Sequence, residues 1–183
     1  MKNILFGAMI VVLGAVAEGR AAEWILEGST LTYHVSHTLH ETEGISHAAK
    51  GKGVCKDKKC DFLVAVPVKS FDSGDSNRDL HMMQVTKAGE FPMIAVRSSV
   101  PETLDGASFT VDMEIQFVGQ KALYKQVKFA RSDDGPATHL SATIPLILTD
   151  FKIERPSLLG MPVKDLAPVR IEMTWRRKDA AAK

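Results

Sequence analysis

The feature that most constrains this chain is the alternation of apolar and polar residues in several segments after residue 30. Residues 109–117 are the clearest case, because every second residue there is apolar. Successive side chains of a β-strand point to opposite faces, so this spacing predicts a strand with one buried and one solvated face. The apolar residues of this segment are Phe109, Val111, Met113, Ile115 and Phe117.

Similar segments recur along the chain, without a sustained helical period. A series of short strands separated by turn residues predicts an all-β, antiparallel sandwich or barrel. Only a short helical turn is expected, near residues 77–88. The other strand-like segments are residues 31–35, 62–68, 94–100, 127–129, 140–148 and 169–176.

The N-terminal segment has the layout of a secretory signal peptide. Lys2 precedes an apolar run, and small residues come before Glu18. A membrane anchor needs about 20 apolar residues, and this run is shorter, although a short uncleaved anchor is the alternative. We expect residues 1–17 to be removed, with cleavage after residue 21 or 22 as the variants, and the protein to reach the periplasm.

The remaining chain is long enough for one domain with a sizeable core, which we place at residues 23–177 and follow with a disordered tail at 178–183. The net charge is +1 and the basic residues are scattered. This distribution argues against a nucleic-acid partner. We expect no stable membrane insertion. A homodimer is kept as an alternative to a monomer.

The chain has two cysteines, Cys55 and Cys60, separated by four polar residues within strand-like sequence. In an oxidising compartment this spacing predicts a local disulfide across a hairpin. A zinc site would need further ligands at suitable spacing, and haem attachment needs a different motif.

The segment "VKSFDSGDSNRDLHMM" at residues 68–83 concentrates three aspartates with Asn77, Arg78 and His81. An EF-hand starting at Asp75 would need glycine where Leu80 stands and glutamate where Thr86 stands, so a calcium loop is excluded. The "GDSN" sequence around Ser76 is similar to the nucleophile block of GDS-type ester hydrolases. A serine needs a histidine base that an acid orients, and no complete set is evident, so ester hydrolysis is kept only as the alternative function.

The histidines of residues 34–47 do not form a metal motif, because Gly44 replaces the second histidine of an H-E-x-x-H sequence that would begin at His40. On a strand, His34 and His37 point to opposite faces. We therefore predict no metal, a solvated His34, and an inward His37 with a hydrogen-bond partner.

For residues 68–83 we predict a structural rim. Val68 ends a strand, Asp75 or Ser76 caps a helical turn, and Arg78 pairs with a nearby carboxylate. Leu80 and Met83 are three residues apart on one helix face and are expected to close over one end of the barrel.

As a group, the residues resemble the YceI-like family. The resemblance rests on "WILEGSTLTYHVSH", Gly44 with "KGKG", "FDSGDSNRDLHM" with "FPMIAVRS", "VGQKALYKQV" and "LTDFKI". It implies an exported, lipocalin-like barrel of about eight antiparallel strands. It also implies a long isoprenoid lipid, such as a polyprenyl chain or a quinone tail, bound in an apolar tunnel as the only ligand, without a cofactor.

Periodicity alone favours a filled core, whereas the resemblance favours a tunnel. The function expected from it is that of a periplasmic binding or carrier protein for an isoprenoid lipid or another amphiphile, without catalytic residues. The predicted ligand-binding residues are Leu31, Tyr33, Val35, His37, Phe62, Val64, Val66, Val68, Leu80, Met83, Phe109, Val111, Met113, Ile115 and Phe117.

Overall fold

The computed structural model describes residues 22–38, 41–158 and 160–178. The expected signal peptide, His40 and residues 179–183 therefore lie outside the described residues. The strands are β1 (Glu23–Ser36), β2 (Glu41–Ser46), β3 (Lys50–Lys56), β4 (Lys59–Pro67), β5 (Met93–Pro101), β6 (Ser108–Phe117), β7 (Gln120–Asp134), β8 (Ala137–Ile147), β9 (Ser157–Leu158), β10 (Met161–Pro162) and β11 (Leu166–Lys178). The helix α1 spans Ser76–Val85, and short 3₁₀ turns span Val68–Ser70 and Leu148–Phe151.

The sheet closes on itself as an antiparallel barrel. Its strand order is β11-β8-β7-β6-β5-β4-β3-β1-β2, and β11 also pairs with β1. The first part of β1 pairs with β3 and its second part with β2, so β2 and β3 together occupy one position of the barrel wall. The wall thus has eight positions, as the family resemblance implied.

The alternation read from the sequence decides which side chains face inward. In β6, Val111, Met113, Ile115 and Phe117 are buried while the residues between them are more exposed. The last strand follows the same rule but is longer than expected, because Lys178, assigned to the tail, still belongs to β11. Likewise, β4 ends at Pro67 and Val68 begins a 3₁₀ turn.

The cysteines form the disulfide that the spacing predicted. Cys55 and Cys60 lie directly opposite each other at the end of the β3–β4 hairpin and are bonded. Between them the chain reverses through Asp57 and Lys58, which both have positive φ. Two consecutive residues with positive φ define the tight hairpin turn that matches the twist of the flanking strands.

Candidate functional site

A cavity with a volume of about 420 Å³ runs through the barrel. Trp24 and Val35, near opposite ends of β1, both line it. At a rise of 3.3 Å per residue they are about 35 Å apart along the strand. The strand tilt of small barrels shortens this to roughly 25–30 Å along the barrel axis. The cavity is therefore long and narrow, and it extends toward both ends of the barrel.

The wall of the cavity is apolar and incompletely packed. The inward side chains Ile94, Val96 and Val100 of β5 and Phe109 of β6 line the cavity but are only half-buried. In a close-packed interior such side chains would be fully covered by their neighbours. The opposite walls therefore do not meet along this part of the barrel, which favours a tunnel over a filled core.

Twelve of the fifteen residues that the sequence assigned to the ligand do line the cavity. That any of them contacts a ligand stays a prediction. These twelve are Leu31, Tyr33, Val35, Phe62, Val64, Val66, Val68, Phe109, Val111, Met113, Ile115 and Phe117.

His37 is one of the three exceptions. Its ring is buried, as expected, and Nε2 lies 2.9 Å from the carbonyl oxygen of Met161 in the β9–β10 hairpin. The side chain does not form part of the cavity wall. His37 follows the end of β1, so strand parity no longer determines its direction, and it anchors the hairpin instead. His34 is partly exposed, between Glu41 and Glu43.

The predicted lid residues are the other two exceptions. Neither Leu80 nor Met83 lines the cavity, and Leu80 is 53 % exposed. The inward side of α1 instead carries Met82 and Val85, and Thr86, which caps the C-terminus of the helix, also lines the cavity. The helix was expected to cover one end of the barrel and does so, but it is rotated relative to the expected face. The direction of its inward face depends on how the preceding turn presents it to the barrel.

Further wall residues come from strands whose alternation the sequence also shows. When the alternation is extended to β5, β8 and β11, it predicts the inward residues of these strands as well. Phe71 and Ile153 lie in non-repeating segments and carry no periodic signal. The added wall residues from the three strands include Ile94, Val96, Val100, Leu140, Ile144, Leu146, Val169, Ile171, Met173 and Trp175.

The start of α1 is built as a capped helix. The Asp75 carboxylate accepts hydrogen bonds from the backbone N–H groups of Asn77 at 2.9 Å and Arg78 at 3.2 Å. These bonds stabilise the charged carboxylate and lower the pKa of Asp75. Ser76 is exposed in the first turn and, among the described residues, has no hydrogen bond to a histidine. This arrangement explains the Asp-Ser sequence as a helix start.

The polar side chains that line the cavity at the α1 end are Tyr33, Arg78 and His81, together with the threonines Thr42 and Thr86. The Arg78 guanidinium donates to the backbone oxygen of Ser73 at 2.9 Å and to its hydroxyl at 3.4 Å. The predicted ion pair is wrong, since Arg78 forms none with a carboxylate of the described residues. Burial, and secondarily the charge of Asp79, raise the pKa of Tyr33, so its hydroxyl is protonated at neutral pH.

The opposite end of the cavity is lined by Trp24, Trp175 and Phe62, next to the disulfide. The rings of Phe62 and Trp175 meet edge to face with centroids 5.1 Å apart. The charged groups at this end are paired within the protein. Glu102 bonds to Arg177 at 3.2 Å, and Arg131 bonds to Asp133 at 2.9 Å.

The described residues include no group of three or more histidine, cysteine or acidic side chains arranged to hold a metal ion. None of the helices in the described ranges is long and apolar enough to cross a membrane. Within the described chain, Glu102 is the only carboxylate in the cavity wall.

Comparisons with known proteins agree on the family and the fold. Residues 25–175 match the YceI-like domain. No curated protein sequence matches the chain significantly. A polyisoprenoid binding domain from Saccharophagus degradans, implicated in plant cell wall breakdown, is structurally similar, with a TM-score of 0.68 and 12% identity over 85% of this chain and 98% of that one.

Two further structures have the same fold. BcnA from Burkholderia cenocepacia has a TM-score of 0.66 and 17% identity, over 82% of this chain and 96% of its own. The YCEI protein of Campylobacter jejuni has a TM-score of 0.50 and 12% identity, over 99% and 94% of the two chains.

Proposed function

The chain belongs to the YceI-like domain family, and from this premise we propose that it is a periplasmic protein that binds and carries an isoprenoid lipid. The observation that carries the proposal is the apolar cavity along the barrel axis. A long, slender hydrocarbon chain is the ligand whose shape and surface match such a cavity.

The energetics of burial favour a hydrocarbon ligand. Each methylene transferred from water to an apolar site contributes about 0.8 kcal/mol. The half-buried wall residues Ile94, Val96 and Val100 would lose their remaining exposure against such a chain. A polyprenyl chain or the tail of a quinone would meet both requirements.

The fold comparison supports the ligand class. The Saccharophagus degradans protein of the same fold is described as a polyisoprenoid binding domain. That function belongs to the relative, and the match to the YceI-like domain makes it the first ligand class to test here.

The compartment is proposed on two grounds. A disulfide such as Cys55–Cys60 persists in oxidising compartments, of which the periplasm is one. The N-terminal sequence also has the layout of an export signal. Detection of the protein in a periplasmic extract, with a mass for the mature chain, tests both points.

Ester hydrolysis by Ser76 is the function that the site favours less. A serine nucleophile needs a hydrogen-bonded base, and Ser76 has no such bond to a histidine of the described chain. Its neighbour Asp75 is engaged as the helix cap. Hydrolysis of generic ester substrates by the wild type, abolished in Ser76→Ala, would contradict the binding function proposed here.

Mass spectrometry of organic extracts tests the lipid directly. Protein purified without detergent is extracted with organic solvent. The extract is compared with that of Val96→Phe, a variant in which a larger side chain occupies part of the cavity. We expect a stoichiometric isoprenoid lipid from the wild type. If repeated extractions yield no lipid and added isoprenoids do not bind, lipid binding as the function is contradicted.

A further inference from the structure

The two ends of the cavity differ in how their polar groups are used. At the disulfide end, Glu102 is paired with Arg177 and Arg131 with Asp133. Arg131 also donates to the carbonyl of Leu104 at 2.7 Å. The charged groups of this end are therefore paired within the protein.

At the α1 end three side chains of the cavity wall keep unused hydrogen-bonding capacity. Tyr33 and His81 form no side-chain hydrogen bond with any described residue. Arg78 uses two N–H groups on Ser73, which leaves three of the five N–H groups of a guanidinium. We call Tyr33, Arg78 and His81 the donor rim.

Arg78 brings a permanent positive charge to the donor rim. Two carboxylates act on the rim, Asp79 on Tyr33 and Asp75 on Arg78, but neither is part of the cavity wall. One of the Asp79 oxygens accepts a hydrogen bond from the backbone N–H of Ser73 at 3.1 Å. The cavity is therefore lined by Arg78 and not by Asp79.

We propose that the donor rim binds the anionic head group of an amphiphile, a phosphate or a carboxylate, while its chain runs toward Trp24 and Trp175. This assignment rests on the proposed function and adds the chemistry of the head and the direction of the chain. Arg78 supplies charge-assisted hydrogen bonds to acceptor oxygens, and Tyr33 and His81 add donors beside it. A neutral alcohol head would use only part of this set.

Three probes with the same geranylgeranyl chain test the head group: the monophosphate, the carboxylic acid and the alcohol. Binding is measured by the fluorescence of Trp24 and Trp175, the two tryptophans of the chain. A hydrogen bond to a charged group is strong enough for a change of about tenfold or more in affinity. We expect the alcohol to bind that much more weakly than the better of the two anions.

Arg78→Gln should remove this preference. Arg97→Gln is the matched control, because Arg97 is exposed on β5 and is not part of the cavity wall. We expect Arg78→Gln to weaken the binding of the anions about tenfold and to leave the alcohol nearly unchanged. Binding in Arg97→Gln should equal that of the wild type for all three probes.

The direction of the chain is tested with hexadecanoate that carries bromine either at its terminal carbon or next to the carboxylate. Bromine quenches tryptophan at contact distance, and both tryptophans lie at the disulfide end. We expect strong quenching by the terminal bromine and little by the bromine near the head. The reverse pattern would overturn the assignment of the head group to the donor rim.

The outcomes separate the two proposals. If the alcohol binds as tightly as the anions and Arg78→Gln changes nothing, the donor rim is not a head-group site, while lipid binding stands. If none of the geranylgeranyl probes or the brominated acids binds, the proposed function itself fails. Preference for the phosphate or for the carboxylate identifies which anion the rim takes.

Discussion

The ring of Tyr33 lies directly on the backbone of Gly44, its partner in the pairing of β1 with β2. A methyl group at Gly44 would lie 2.4 Å from ring atom Cε1 and 2.6 Å from the hydroxyl oxygen. Phe62 covers its strand partner Gly53 in the same way, with a closest distance of 2.4 Å. Glycines on the inner face thus make room for aromatic rings, which explains their places in the Gly44 and "KGKG" motifs.

Gly44→Ala is expected to displace the ring of Tyr33. Overpacking of this kind typically costs about 1–3 kcal/mol, so the melting temperature should fall by several degrees. Gly89→Ala is the control, because an added Cβ at Gly89 meets nothing within 4 Å. Equal melting temperatures for the two variants would show that the close contact at Gly44 is relieved without strain.

A larger side chain in the cavity should reduce lipid binding without reducing the stability of the barrel. Val96 lines the cavity and is half-buried, so Val96→Phe has free space in front of it. We expect this variant to keep the melting temperature of the lipid-free wild type and to lose bound lipid. Val127→Phe is the control, since Val127 is buried outside the cavity wall and should suffer the overpacking cost of about 1–3 kcal/mol.

The choice of position matters in this test. Met113 and Ile115 also line the cavity, but they are only 3% and 2% exposed. A larger residue there would strain its neighbours, so stability and lipid binding would fall together and could not be distinguished. A Val96→Phe protein that melts far below the wild type, with unchanged lipid in its folded fraction, would contradict the tunnel.

The rotation of α1 predicts different effects for two of its residues. Met82→Ala removes a side chain from the cavity wall and should weaken lipid binding, because apolar contact with the chain is lost. Leu80→Ala changes an exposed residue and should leave binding unaltered. Fluorescence titration of both variants with one geranylgeranyl probe measures the difference in affinity. A larger loss of affinity in Leu80→Ala would show that the helix turns its other face to the ligand.

The disulfide should contribute moderately to stability. It closes a short loop, for which the loop-length model gives at most about 2–3 kcal/mol. We expect thermal unfolding of the double variant Cys55→Ala and Cys60→Ala at lower temperature, with the barrel retained by circular dichroism. Reductant should lower the melting temperature of the wild type and leave that of the variant unchanged. A wild type that reductant does not destabilise, although thiol titration shows complete reduction, would contradict this role.

Tyr124 should make stability sensitive to alkaline pH. Its hydroxyl donates to the carboxylate of Asp150 at 3.0 Å and accepts from the N–H of Ile147 at 3.0 Å. Burial, with a smaller contribution from Asp150, raises the pKa of Tyr124 to about 12, although the hydrogen bond from Ile147 acts in the opposite direction. A raised folded-state pKa gives stability that is complete below the unfolded value near 10 and is lost as the pH rises toward 12.

The measurement is urea unfolding at pH values between 9 and about 12, the window set by these two pKa values. Tyr124→Phe should be less stable at neutral pH, because Asp150 and Ile147 lose a partner. Its stability should also fall less steeply across the window than that of the wild type. Parallel curves for the two proteins would show that Tyr124 does not contribute to the alkaline loss.

Much of the fold could be predicted from local patterns. Alternation in residues 109–117 and 169–176 gave the inward side of β6 and β11, because the pleat of a strand alone sets that direction. The Cys55–Cys60 disulfide followed from spacing within one hairpin. Asp75 was one of the two expected caps, since capping depends on residues two and three positions along the chain.

Two features of the site depended on the tertiary structure. The inward face of α1 carries Met82 and not Leu80, because the turn before the helix sets its rotation over the barrel. The ring of His37 forms a hydrogen bond with the backbone oxygen of Met161 in the β9–β10 hairpin, 124 residues away along the chain. Neither relationship has a periodic signal in the sequence.

The sequence by itself determined that the strands have an apolar and a polar face, since that property is local to each strand. Whether the apolar faces meet as a core or stand apart around a cavity was decided by the tertiary structure. The distance between opposite walls depends on the number and tilt of the strands and on the closure of β1 against β11. The side chains of Ile94 and Val96 point inward and stay only half-buried, because the closed barrel leaves a cavity in front of them.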